Sequence, residues 1–182
     1  LLDEAEKDPE RRYKIISRDD RGPLNIHAAF SADGIHFHDW TPVIDDPVLP
    51  GDTHNFVIRD RDSGKYLLFT RTFKREMRVE SRLESDDFLH WTNQQTVLGG
   101  LDADDQVYGM PVFQQDGLFW GLAEIFHTGD ASLSHYDHVE IELCYSGDGI
   151  YWQRVAPGEP FLPNGAEGTY DFGTCYASAP VS

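Results

Sequence analysis

The chain has 182 residues, with 15 Lys and Arg against 32 Asp and Glu, a formal net charge of −17. That sign repels phosphate backbones and anionic headgroups, so nucleic acid and a membrane surface are excluded as partners and a neutral or cationic ligand is expected. No apolar run is long enough to cross a bilayer, no secretory leader pattern stands at the start, and the chain opens on Leu1 rather than Met, which leaves a leader removed or never included.

Only Leu2 to Arg11 has helical character, and Pro9 argues against a helix there. Arg12–Arg18 follows as a short, apolar-rich strand. Next comes Ser31-Ala32-Asp33-Gly34-Ile35-His36-Phe37, the first copy of a motif that recurs twice. Asn55–Ile58 reads as a strand, Asp62-Ser63-Gly64 as a turn, and Lys65–Arg71 as the returning strand. The second copy is Ser85-Asp86-Asp87-Phe88-Leu89-His90-Trp91. Met110–Phe113, the turn Gln115-Asp116-Gly117 and the strand Leu118–Glu124 repeat the same order. Val139–Tyr145 is a further strand, and Ser146-Gly147-Asp148-Gly149-Ile150-Tyr151-Trp152 is the third copy. The segments after Trp91 and Trp152 are expected to be strands, and Tyr176–Val181 the first strand of a further unit.

The common form is Ser-x-Asp-(Gly/Phe)-(Ile/Leu)-x-aromatic, starting at Ser31, Ser85 and Ser146, 54 and 61 residues apart. Ser and Asp bond to the local backbone and close a tight turn. The aromatic (Phe37, Trp91 or Trp152) is expected to wedge between neighbouring sheets. Each unit reads strand, hairpin turn, strand, loop, strand, Ser-x-Asp turn, strand, which is the four-stranded blade of a propeller. The fold class expected is all-β, a partial β-propeller over 1–182. Its first blade covers about 1–50, its second 51–103, its third 104–168, and 169–182 starts a fourth. Three blades and a start leave sheet edges open, so the missing blades of a longer chain, or another copy, are expected to close the ring.

Cys144 and Cys175 have no metal-ligand spacing and are expected to be free thiols. The histidines show no His-x-x-x-His or comparable cluster, so no metal and no cofactor are expected. Asp33, Asp87 and Asp148 are turn formers. The candidate chemistry lies where innermost strands converge on a central channel. Asp3 stands ten residues before Tyr13. Asp52 lies in Gly51-Asp52-Thr53-His54-Asn55, Tyr108-Gly109 follows Asp104 and Asp105, and Asp171 lies in Tyr170-Asp171-Phe172-Gly173. Arg18, Arg71 and Glu124 each stand five positions after the aromatic of the returning strand (Tyr13, Tyr66, Phe119), so Glu124 occupies a row otherwise held by arginines. Convergent carboxylates suit glycosidic bond cleavage, in which one acid protonates the leaving oxygen and another attacks the sugar or activates water.

The order of elements resembles the five-bladed propellers of glycoside hydrolase families 32, 43 and 68, and is most similar to family 32. The resemblance implies that Asp52, in the place of an Arg-Asp-Pro element, is a transition-state stabiliser. It implies a sugar-contact role for Asp171, because Asp171-Phe172-Gly173-Thr174-Cys175-Tyr176-Ala177-Ser178 is similar to an Asp-Tyr-Gly…Tyr-Ala-Ser element. The family nucleophile would fall at Asp3, without the Asn-Asp-Pro-Asn-Gly that surrounds it in the family. The acid/base of the Glu-Cys-Pro element would fall near Gly109-Met110-Pro111, where this chain has glycine; Glu124 is the acid available instead. The expected function is cleavage of an oligo- or polysaccharide by Asp3, Asp52 and Glu124, with His54, Asn55, Arg71, Tyr108, Asp171 and Tyr176 binding substrate. A carbohydrate-binding propeller without catalysis and a protein-interaction module are the alternatives. Action on polysaccharide would place the protein outside the cell or in the periplasm.

Overall fold

The computed structural model describes residues 1–19, 25–44, 51–130 and 136–178. Among them the chain is all-β, with three curled antiparallel sheets and a single turn of 3-10 helix at Pro9–Arg11. That turn follows from Asp8, whose carboxylate accepts the Glu10 amide at 3.0 Å, and from Pro9 at its first position.

The first sheet is β1 (Tyr13–Asp19), β2 (Asn25–Ser31) and β3 (His38–Ile44), in that order. Leu2 adds to its free edge by pairing antiparallel with Tyr13. The second sheet is β4 (Asn55–Arg59), β5 (Tyr66–Lys74), β6 (Met77–Ser85) and β7 (Thr92–Leu98), again in chain order. The third holds β8 (Asp105–Gly109), β9 (Val112–Gln115), β10 (Leu118–His127), β11 (His138–Ser146) and β12 (Trp152–Arg154). Both β8 and β9 pair with β10. The inner strand of this sheet therefore starts at Asp105 rather than at Met110, and Met110-Pro111 interrupts it, because Pro111 has no amide hydrogen for the ladder. The strand expected over Tyr176–Val181 is absent at 176–178, and 179–182 lie outside the described residues. So does the boundary expected near residue 50.

β5 explains how the sheets stack. Its first seven residues are all buried. Side chains alternate across a strand, so Tyr66 and Leu68 enter a core shared with Ile16, Ile26, Phe30 and Leu83 of the first and second sheets. Leu67 and Phe69 enter a second core with Val107, Val112, Phe119 and Ile125 of the third. A strand buried on both faces reads as a continuous apolar run, and each such side chain contributes about 1.5–3 kcal/mol.

The three Ser-x-Asp turns are alike in detail. The Ser31 hydroxyl accepts the Gly34 amide at 3.0 Å, and the Asp33 carboxylate accepts the amides of Ile35 and His36, both at 2.8 Å. Ser85 with Asp87, and Ser146 with Asp148, repeat these bonds. The residue after Asp has positive φ in every copy: Gly34 +77°, Phe88 +69°, Gly149 +71°. A Cβ on Gly34 would come within 2.9 Å of the Tyr13 ring, which fills the space. In the second sheet the side chain at this position is itself the wedge. Phe88 is fully buried, edge-on to Tyr66 at 5.2 Å. Phe37, Trp91 and Trp152 are only half-buried, with Trp91 and Trp152 at the margins of the two cores. Phe88→Ala is expected to cost about 3–5 kcal/mol in urea unfolding, and Trp91→Ala distinctly less. Equal losses would show that the two aromatics share the wedge.

Candidate functional site

The Gly51–Asn55 loop leads into β4 and is braced by Asn55, whose amide donates to the Gly51 and Thr53 carbonyls at 3.1 and 3.2 Å. Its carbonyl oxygen accepts the Thr70 hydroxyl at 2.7 Å. Asn55 thus shapes the loop that presents Asp52 and His54. Asp52 accepts from the Arg71 guanidinium at 2.7 Å, with Arg18 of the first sheet 3.9 Å away. Arg71 is 5% exposed, and its guanidinium lies over the Tyr108 ring at 4.8 Å.

Glu124 of β10 is fully buried. Its Oε1 meets His54 Nδ1 at 2.9 Å and accepts the Ala177 amide at 3.2 Å, while Oε2 has no hydrogen-bond partner. Burial pushes its carboxyl above the usual glutamate range, and His54 partly offsets that. Tyr176 closes the group, with its ring 5.5 Å from His54 and 5.6 Å from Tyr108. Asp52, Arg71, Tyr108, Tyr176, His54 and Glu124 are thus linked, contact by contact, across the second and third sheets and the segment after Phe172.

Gly109 is what lets Glu124 fit. The two residues are directly opposite in the β8–β10 ladder. A Cβ added at Gly109 would lie 2.7 Å from Glu124 Oε2. The Glu124 carboxyl therefore occupies the space that a side chain at position 109 would enter.

One expected member stands elsewhere. Asp3 pairs with Lys14 at 3.4 Å and Arg59 at 2.8 Å and accepts the Tyr66 hydroxyl. Tyr66 starts β5, and Arg71 lies five residues further along it, about 17 Å away at strand rise. Asp3 is thus at the opposite end of the sheet from Asp52, a correction that follows from the register Leu2 with Tyr13. Asp171 lies in the loop against the edge of β11, and a Cβ on Gly165 would touch its carboxylate at 2.2 Å. Asp105, expected near the channel mouth, binds Arg154, which also holds Glu142.

Glu80 of β6 is an addition. It is fully buried, neither carboxyl oxygen has a hydrogen-bond partner, and it stands opposite Arg71. Burial first, then the charge of Glu124, pushes it well above the ordinary range, against the pull of Arg71. Only the burial of β6 on both faces marks it, and its sequence gives no sign of that. Both cysteines are free thiols, and burial pushes Cys144 up to about 12. No described helix is long and apolar enough to cross a membrane.

No protein-family profile and no curated protein matches the sequence. Solved structures match in fold. An N-acetylgalactosamine deacetylase from F. plautii, in complex with blood group B trisaccharide, superposes with a TM-score of 0.66 at 17% identity, over 82% of this chain and 48% of that one. A family 32 β-fructofuranosidase from Bombyx mori gives 0.61 at 11% identity, over 87% and 34%. An α-L-arabinanase from Penicillium chrysogenum gives 0.58 at 13% identity, over 85% and 50%. The chain thus shares its fold with a sugar deacetylase and with glycoside hydrolases, at identities that show the fold alone, and spans half or less of the length of each.

Proposed function

We propose that this chain forms three blades and the opening of a fourth of a five-bladed β-propeller, divided near residues 50, 103 and 168, and that the polypeptide carrying it cleaves glycosidic bonds of an oligo- or polysaccharide. The observation that carries the reading is the exchange between Gly109 and Glu124. The acid/base implied by resemblance falls at a glycine, and the neighbouring strand fills that space with a buried carboxyl that burial pushes above the usual glutamate range. Glu124 is then the general acid, oriented by His54. Asp52, fixed by Arg71, faces the positive charge that develops on the sugar ring. Tyr108 and Tyr176 offer flat apolar surfaces, and Arg71 and His54 offer donors, to a carbohydrate ligand.

Glu124→Gln tests the assignment in the polypeptide that carries the full ring. Turnover of alkyl glycosides, whose leaving group needs a proton, is expected to fall about 10²–10⁴-fold. Aryl glycosides with acidic phenol leaving groups should lose far less. A loss equal for both classes would sink the acid role. Activity should also decline as pH rises through the raised Glu124 value, and His54→Ala, which removes the offsetting imidazole, should move that limb to higher pH. Sugar binding without any turnover would favour the binding module, with the Tyr108–Tyr176 surface as its platform.

A further inference from the structure

We propose that His127, His138 and Glu140 form a binding site for a first-row divalent cation of the zinc class, distinct from the Glu124 group. His127 and His138 are direct partners in the β10–β11 ladder, and Glu140 follows two residues later on the same face. The ligand atoms of the three lie within 4.8 Å of one another. Two imidazoles and a carboxylate are the donor set that suits such ions, and three protein ligands leave a position open.

The simpler account is an ion pair, and it covers only part of the arrangement. His127 Nε2 meets Glu140 Oε1 at 3.1 Å. The His138 ring lies parallel to that of His127, with centroids 4.5 Å apart, and the pair leaves its presence unexplained. The site is half-buried and opens on a cleft of about 530 Å³ that Tyr136, Asp137, Asn164 and Glu167 help to line. Asp137 and Glu167 add negative charge, and no lysine or arginine lines the cleft among the described residues. An ion held there would turn its open position toward that cleft, free to take water or an oxygen of a polar ligand. His127 is three residues from Glu124 along β10, about 10 Å at strand rise, and that odd spacing turns the two side chains to opposite faces of the strand, so the ion would stand apart from the proposed acid.

The test is calorimetric titration of the chelator-treated polypeptide that carries the full ring with zinc chloride, with cobalt(II) absorption as a second readout. One ion per chain is expected, with the strong visible band of a four- or five-coordinate cobalt site. His138→Ala and Glu140→Gln should each weaken binding more than about 100-fold, beyond the loss typical of outer-shell changes, and remove the band. The double variant His36→Asn/His90→Asn, which removes the exposed His–Asp pairs on two turns, should leave both signals intact. Should His138→Ala fail to fold, the zinc-induced rise in melting temperature must still vanish in Glu140→Gln. Unchanged binding in folded Glu140→Gln, or loss only in the double turn variant, overturns the proposal.

Discussion

Asp3→Ala is expected to destabilise the chain by about 3–5 kcal/mol in urea unfolding at neutral pH, the cost of removing one partner from a buried charge cluster. Asp3 and Lys14 are both 1% exposed in their side chains. Lys14 also donates to Glu6 at 2.8 Å and to the Arg11 carbonyl at 2.6 Å, which locks the one-turn helix under the first sheet. Without Asp3, the Tyr66 hydroxyl loses its acceptor and Arg59 its inner partner. Burial alone would raise the Asp3 carboxyl. The Tyr66 hydrogen bond and the charges of Lys14 and Arg59 outweigh it and hold the group below the usual aspartate range. A depressed native value means that this stabilisation is present above the unfolded value of about 3.9 and is lost as pH falls through the native one. The gap between wild type and Asp3→Ala should therefore shrink in acid. A fully stable Asp3→Ala that has lost only sugar turnover would restore Asp3 to the catalytic group.

Glu80→Met is expected to act with the opposite sign. Its carboxyl has no hydrogen-bond partner to lose and no exposure, so an apolar side chain of similar volume forfeits little. A carboxyl pushed well above the ordinary range keeps its proton in the native state to higher pH than in the unfolded chain, which releases it above about 4.3. Stability contributed by this position therefore falls as pH rises, by up to about 1.4 kcal/mol per pH unit, until the native group itself ionises. The melting temperature of Glu80→Met should exceed that of wild type, by a margin that widens from pH 5 to pH 8. A margin independent of pH would mean that Glu80 is already ionised in the native state.

The features legible in the sequence are the local ones. The Ser-x-Asp turns are closed by side chains two and three residues from the amides they bind, so their composition is their structure. β5 and β10 announce themselves as apolar runs. The inner strand of the third sheet does not, because Asp105–Gly109 is polar at its start and the apolar Met110–Phe113 draws attention past it. Asp3 is misplaced by sequence because counting ten residues back from Tyr13 ignores the turn at Pro9–Arg11, which folds the chain so that Leu2 meets Tyr13. The Asp52–Arg71 pair follows from rows of equivalent positions. The contact of Glu124 with His54 needs the packing of one sheet on the next, and the meeting of His127, His138 and Glu140 needs a hairpin register. Neither leaves a spacing that a sequence can display. The motif points to its terminal aromatics as the wedges, but in the second sheet Phe88 takes that place three residues earlier than Trp91.

Among the described residues, every pairing of strands within a sheet joins strands close in the chain, and no strand is borrowed from another sheet. A nascent polypeptide can therefore complete one sheet before the next has left the ribosome, since no long loop has to close first. The two-sided burial of β5 sets the order of the later steps: a finished second sheet offers Leu67 and Phe69 as a greasy template, on which residues 105–127 can settle as they emerge. Synthesis and assembly then run in the same direction.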